Sequence, residues 1–355
     1  MQAARAVGQT ILAQFVEAGA VPVEADILQP AEALLDLYGE DIRGRAFVTH
    51  DPIRGEMMLR PDFTVPVVQT HMREGAEPAR YAYLGEVFRK QDHRGAARQS
   101  EYLQAGFEVF DRVNPQAADA EVFALFARIL APLNLTATIG DIGLLTASVE
   151  ALDTIPARKR ALLRHIWRPQ RFHALLKRYA GQLPMPAARQ AVLDGGTASE
   201  MPWIGLRSEA EVAARIERLR EDAAAAPIAA HDMARLDALF ALRCPALEAP
   251  AKLRALGLPE AAVERFEARL AALQAQGVDL GGVRFEASHG RTTMEYYDGF
   301  VFTFKGHDDM PPVATGGRYD ALTKVLGQGL DVPAEIPAVG GVIRPALVAA
   351  LGGLS

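Results

Sequence analysis

The stretch LGEVFRKQDHRGAARQSEYLQAGFEVF, residues 84–110, sets two runs rich in aromatic and aliphatic residues on either side of a basic, polar loop. Runs of this kind read as an antiparallel strand pair, RYAYLGEVFR with SEYLQAGFEVF. Side chains two apart in a strand share a face, so Gln104, Gly106 and Glu108 line one side while Ala105, Phe107 and Val109 line the other. On the first strand Tyr83, Gly85, Val87 and Arg89 share parity, again with a glycine among larger neighbours. Two glycines opposite one another weaken a sheet unless something occupies the space, which points to a ligand lying between an amide, a carboxylate and a guanidinium. Arg89 offers a planar fork of donors suited to carboxylate or phosphate oxygens. A plain ion pair between Glu108 and Arg89 on a solvated face accounts for the same parity, so the residues alone leave both readings open.

Outward from this pair the pattern stays mixed. Residues 1–20 repeat apolar positions at helical spacing (Val7, Ile11, Leu12, Phe15, Val16), and VPVEADILQP reads as a strand closed by Pro30. A helix PAEALLDLYGE follows, then strands AFVTHD and EMMLRP, the second running into a helix in DFTVPVVQTHMREG that Asp62 or Thr64 is placed to cap. Further on come a helix over 118–131, a strand LTATIGD and a helix DIGLLTASVEAL. From about 155 to 275, Ala, Leu, Arg and Glu recur with a 3.6-residue period and almost no strand signal. Strand signals return in GVRFEA, MEYYDGFVFTF and ATGGRYDAL, and IPAVGGVIRPALVAALGG runs into a helix. The expected class is therefore α+β, with a core over 1–154 and 256–355 interrupted by a helical insertion over 155–255. Neither G-x-G-x-x-G nor G-x-x-x-x-G-K-[ST] occurs, which argues against a doubly wound nucleotide fold.

Composition narrows the function classes. With 355 residues, half of them hydrophobic, the chain is long enough for a large core, and its formal charge of −6 weighs against a protein whose main work is gripping nucleic acid. No run approaches the ~18 apolar residues of a membrane span, and MQAARAVGQTILAQFVEAGA lacks the apolar segment of a secretory leader, so cytoplasmic residence and no membrane partner are expected. The single cysteine, Cys244, excludes an internal disulfide or a thiolate zinc cluster and reads as a buried small residue. The eight histidines show no metal-ligand spacing, so neither metal nor cofactor is expected. The basic segment ARKRALLRHIWRPQRFHALLKR, residues 157–178, reads as the solvated face of an amphipathic helix pair, and Trp167 and Trp203 as core.

Taken in order, LRPDFT, VFR with its basic loop, LQAGFEVF, YYDGFVF and GGRYDAL resemble the signature segments of class II histidyl-tRNA synthetases, over most of residues 20–150 and 280–340. The resemblance implies a class II aminoacyl-tRNA synthetase-like antiparallel sheet flanked by helices, and self-association as a dimer through an early segment to which VPVEADILQP is similar. Carried over residue by residue, it implies a histidine pocket of Asp62, Thr64, Arg89, Gln104, Glu108, Tyr296, Tyr297 and Tyr319. The chemistry is consistent: an amino group needs acceptors such as Asp62, Thr64 and Gln104, and an imidazole N–H needs Glu108 or a tyrosine hydroxyl.

The departures from that family carry as much information. The synthetases have an Arg four residues before their Tyr-Tyr pair; here Thr292 stands there, and Arg291 next door would substitute only through a bulge. Their closing G-x-x-x-G-x-E-R reads GGVIRPAL, with Leu347 in the Arg place and Arg344 displaced, and Gln91 replaces an acidic residue after VFR. The chain ends at this motif, so no anticodon-binding domain and no tRNA partner are expected. A synthetase-like pocket without ATP chemistry resembles the regulatory subunits of ATP phosphoribosyltransferase. That resemblance implies a non-catalytic chain that partners the short-form catalytic subunit at the first step of histidine biosynthesis, is required for its activity, and passes on feedback inhibition by histidine. Retention of Arg89, Arg94 and Arg98 keeps an alternative in view, an amino-acid-activating, adenylate-forming paralogue.

Overall fold

The structure is a computed structural model and describes residues 2–31, 46–90, 99–195, 206–291, 297–307, 309–327 and 335–354. Its strands are β1 (Val21–Pro22), β2 (Leu28–Pro30), β3 (Val48–Asp51), β4 (Gly55–Leu59), β5 (Ala79–Phe88), β6 (Glu101–Phe110), β7 (Thr136–Asp141), β8 (Arg243–Pro245), β9 (Val283–Glu286), β10 (Phe300–Lys305), β11 (Ala314–Arg318) and β12 (Ala338–Ile343). Nine form one sheet in the order β1-β5-β6-β12-β11-β10-β7-β9-β8, and three form a smaller one, β2-β4-β3. Among these pairings only β1 with β5 and β7 with β9 are parallel. This is the α+β class the sequence predicts, and β5 with β6 is the expected antiparallel pair, running from Ala79 opposite Phe110 to Phe88 opposite Glu101.

Alternation along β6 sends Ala105, Phe107 and Val109 into the core behind the sheet. Phe15, on the helix Gln2–Glu17, packs its ring 5.4 Å from Phe107 and 5.6 Å from Phe126. Phe126 and Phe123 belong to the helix Pro115–Leu130, which opens with Asn114 accepting from the Ala117 N–H and with proline in its first turn. They meet Phe302 and, for Phe123, also Phe300 and Phe304 of β10. Each fully buried ring contributes about 1.5–3 kcal/mol, so this layer is the chief source of cohesion.

The same helix carries a charge into that core. Asp119 is fully buried and accepts from Arg269 Nε at 2.7 Å and from Arg318 Nη2 at 2.7 Å. Arg269, on the helix Glu260–Ala275, also reaches Asp141 at the end of β7, and Arg318, the last residue of β11, pairs with Asp320 at 3.0 Å. Four separate elements are thereby pinned around one carboxylate.

Several expectations change on contact with the fold. VPVEADILQP is two short strands in different sheets, β1 at the edge of the large one and β2 in the small one. Proline donates no backbone hydrogen bond, so Pro22 and Pro30 suit strand ends rather than one continuous ladder. The helix Thr64–Glu74 has Phe63 at its N-cap and no capping side chain, because the Thr64 hydroxyl is committed elsewhere. The expected helix PAEALLDLYGE lies almost wholly outside the described residues.

The stretch expected as a helical insertion, 155–255, carries the helices Pro156–Arg164, Pro169–Tyr179, Ala187–Leu193, Glu209–Ala224 and Ala230–Ala241 and then β8, which already belongs to the large sheet. Within the basic segment, Arg160, Arg164, Arg171 and Lys177 are solvated as expected, but Arg158 is buried, held by Asp222 at 2.5 Å and by the Ala226 carbonyl at 2.7 Å. Cys244 is half-buried on β8, and burial pushes its thiol up. Trp203 lies outside the described residues.

Candidate functional site

On the face of the sheet opposite the phenylalanine layer, the alternate residues of β6 are Gln104, Gly106 and Glu108, as the parity requires. Glu108 is buried and receives three hydroxyls: Thr64 Oγ1 at 3.1 Å and Tyr83 Oη at 3.0 Å on Oε1, and Tyr319 Oη at 2.7 Å on Oε2. No cation pairs with it among the described residues, so burial pushes its carboxyl up to about 7, although the three hydroxyls pull the other way. Asp62 nearby adds like-charge repulsion. Burial and the Glu108 charge likewise hold the Tyr83 and Tyr319 hydroxyls well above the usual tyrosine range. An ion pair between Glu108 and Arg89 is not what the parity means.

The glycines serve the protein's own side chains. Gly85 faces Gln104 and Gly106 faces Tyr83, so they are not opposite one another, and the space above them is not left for a ligand. A Cβ at Gly106 would overlap the Tyr83 ring, one at Gly340 the Glu108 carboxylate, and one at Gly85 the Phe63 ring and the Arg60 guanidinium. Tyr83 in turn stacks on Phe63 at 4.3 Å and 10°. Small residues at these positions let a phenol and a carboxylate lie flat on the sheet, which fixes where their polar atoms project.

Further along the same face the character becomes cationic. Arg89 donates through Nε to the Pro61 carbonyl at 2.7 Å. Gln104, opposite Gly85, is buried, and its Oε1 has no hydrogen-bond partner among the described residues. The strand β12 runs antiparallel to β6, with Ile343 opposite Ala105, which sets the next residue, Arg344, beside Gln104. Arg344 donates to the Pro312 carbonyl and to the Tyr102 hydroxyl, and burial together with the charge of Arg89 lowers its basicity.

Tyr297 closes the other side. It is buried against Gly317 of β11 and close enough to Tyr83 and Tyr319 to act on their hydroxyls. Its carbonyl accepts from Trp167 Nε1 at 2.9 Å, so this indole, expected as core and indeed packed against it, also reaches the site from the insertion. The following Asp298 accepts from the N–H groups of Asp320 at 3.1 Å and of Ala321. Burial and the neighbouring Asp320 push its carboxyl up to about 7. Arg291 is captured by the same turn of the insertion: its Nε donates to the Ile166 carbonyl at 2.7 Å, and its guanidinium lies 4.3 Å from the Phe240 ring and 5.3 Å from that of Phe172. That burial lowers it to about 10, and Arg291 makes no substitute for the arginine missing at Thr292. Thr292, Tyr296, Gln91, Arg94 and Arg98 lie outside the described residues.

Of the eight residues expected in the pocket, Asp62, Thr64, Glu108, Tyr297 and Tyr319 thus gather at one end, with Gln104 and Arg89 at the other. Two participants were missed. Tyr83 shares strand parity with Gly85 in the sequence, but that it lies across from Gly106 and fills the gap there follows only from the β5–β6 register. Arg344 was noticed only as a displaced residue; its place on this face follows from the β12–β6 register, which no local pattern supplies.

Comparison with known proteins agrees with this fold. The histidyl-tRNA synthetase family matches residues 1–194 and 208–344. Two solved structures share the fold: an ATP phosphoribosyltransferase regulatory subunit/histidyl-tRNA synthetase from Bacillus halodurans, with a TM-score of 0.69 at 21% identity, covering 99% of this chain and 79% of that one; and histidyl-tRNA synthetase from Nostoc sp. PCC 7120, with a TM-score of 0.62 at 17% identity, covering 99% of this chain and 72% of that one. The class is therefore the histidyl-tRNA synthetase-like, class II fold. Among curated relatives, ATP phosphoribosyltransferase regulatory subunits of Agrobacterium fabrum and Mesorhizobium japonicum are 35% and 34% identical, over 93% and 92% of this chain and 92% and 93% of theirs. The chain belongs to the family of ATP phosphoribosyltransferase regulatory subunits. Among the described residues no helix is long and apolar enough to cross a membrane, and no group of three His, Cys, Asp or Glu is placed to hold a metal.

Proposed function

We propose that this chain is a non-catalytic regulatory subunit that binds the short-form catalytic ATP phosphoribosyltransferase, is needed for its full activity at the first step of histidine biosynthesis, and inhibits it when histidine accumulates. Histidine occupies the face described above. Its imidazole N–H meets Glu108, its ring lies between Tyr297 and Tyr319, and its amino group meets the acceptors Asp62, Thr64 and Gln104. The observation that carries this reading is Glu108, a buried carboxylate ringed by three hydroxyls and left without a cation among the described residues. A ligand that brings a shared proton compensates it, and analogues without that proton leave it unpaired. Regulation then requires that the histidine-bound and free forms favour different states of the catalytic partner, a coupling of typically 1–3 kcal/mol.

Adenylate formation is disfavoured on this reading. Arg291 is engaged by the insertion and Leu347 holds no charge, and each lost catalytic arginine removes on the order of a hundredfold in rate. The test is reconstitution with a short catalytic subunit from the same organism. The mixture turns over faster than the catalytic subunit alone, histidine suppresses the gain, and the two chains elute together. An unchanged rate with separate elution contradicts the assignment, as does histidine-dependent exchange of pyrophosphate into ATP by this chain alone.

A further inference from the structure

Resting on the histidine reading above, we propose that Arg344 and Arg89 form a carboxylate-recognition corner, oriented by Gln104, through which the pocket selects free histidine over analogues that lack its carboxylate. Three observations converge on it. The β12–β6 register puts Arg344 next to Gln104 on the ligand face, and Arg89 continues β5 on that face, its N–H donating to the Ser100 carbonyl at 2.8 Å. Gln104 is 1% exposed, yet its Oε1 lacks a partner among the described residues, and a buried acceptor of this kind is costly unless a ligand donor meets it. The guanidinium of Arg344 is braced by the Pro312 carbonyl and the Tyr102 hydroxyl rather than extended into solvent, and it is near enough to Arg89 and Tyr297 to feel both.

Two guanidiniums held side by side repel, and an anion between them relieves both. Gln104 and Glu108 are four residues apart on β6, roughly 13 Å at ~3.3 Å per residue, and Tyr83 lies on the sheet between them, so a ligand that reaches both ends lies over its ring. With the imidazole at Glu108, the carboxylate falls at the Arg344 end and the amino group between, within reach of Gln104 Oε1. Arginine-to-carboxylate bonds are forked and charge-assisted, which makes them a strong discriminator.

The test is calorimetric titration of histidine, histidinol and AMP into the native chain, Arg344→Gln and Arg344→Lys, with folding verified by thermal melts. The native chain prefers histidine to histidinol by at least tenfold. Arg344→Gln weakens histidine about 10–100-fold and leaves histidinol within twofold, so the preference collapses, and Arg344→Lys, which keeps the charge without the fork, falls between. Equal loss of both ligands in Arg344→Gln shows a merely structural arginine and overturns the proposal. So does histidine binding that is indifferent to both variants, or an effect confined to AMP, which would make the corner a phosphate site. Absence of histidine binding to the native chain refutes the pocket reading itself, and the corner with it.

Discussion

Two carboxylates are buried on opposite faces of one sheet, and they are compensated in opposite ways. Asp119, behind the sheet, is held by two guanidiniums that come from 150 and 199 residues away. Glu108, in front, has three hydroxyls and no cation among the described residues. Neighbouring residues of one strand end serve both: Arg318 turns back to Asp119 and Tyr319 turns forward to Glu108. A charge that only braces the fold is neutralised by the fold. On the function proposed above, one left with neutral donors is kept for a ligand, and the cost of holding it is met by the surrounding core.

The comparison breaks first at Asp119. Asp119→Ala leaves Arg269 and Arg318 buried without their shared acceptor and destabilises the chain by about 3–5 kcal/mol in urea melts, while the histidine affinity of the folded fraction stays within twofold. A loss below ~1 kcal/mol would show that this network is not the brace it resembles. Glu108→Gln has the reverse signature: histidine affinity falls about 10–100-fold, and the melting temperature at pH 8 is unchanged or higher, because a poorly compensated buried charge has gone.

The pH dependence of stability sharpens the contrast. Unfolded, Glu108 titrates near 4.5; folded, near 7. Between those values the folded chain holds the extra proton, so the contribution is complete below about 4.5 and is lost as pH rises through about 7, by on the order of 3 kcal/mol. Urea melts of the native chain and Glu108→Gln from pH 5 to 8.5 isolate that slope; parallel curves contradict it. Smaller still is Tyr319→Phe, which removes one of three hydroxyl donors and costs about 1 kcal/mol in histidine binding. Smallest is a spectroscopic change: histidine shifts the emission of Trp167, whose N–H is bonded to the Tyr297 carbonyl, in a Trp203→Phe background.

The front of the sheet was largely legible in the sequence, and the back was not. Period-two alternation is local, so the parity of Gln104 and Glu108 could be read directly, and the ordered motifs placed Asp62, Thr64 and Tyr319 with them. What fills the space above Gly106 depends on cross-strand register, and only that register shows Tyr83 lying there. The Asp119 network joins residues whose separation leaves no periodic trace, and an aspartate in a helical pattern looks the same whether it faces water or two arginines. Arg291 failed as a substitute for a related reason: the groups that capture it, the Ile166 carbonyl and the Phe172 and Phe240 rings, come from helical segments between about 50 and 125 residues earlier in the chain.

The most direct test of the central claim, that Glu108 is kept for the imidazole proton of histidine, is histidine affinity measured by calorimetry as a function of pH. Free imidazole titrates near 6.5 and Glu108 near 7, and the bound pair shares one proton. Affinity is therefore greatest between about 6.5 and 7, falling toward acid, where both partners are protonated, and toward base, where the imidazolium charge is lost and only the neutral imidazole N–H meets the carboxylate. In Glu108→Gln the basic limb flattens. A native-chain affinity that is level from pH 5.5 to 8.5, or a profile that Glu108→Gln leaves unchanged, contradicts the account.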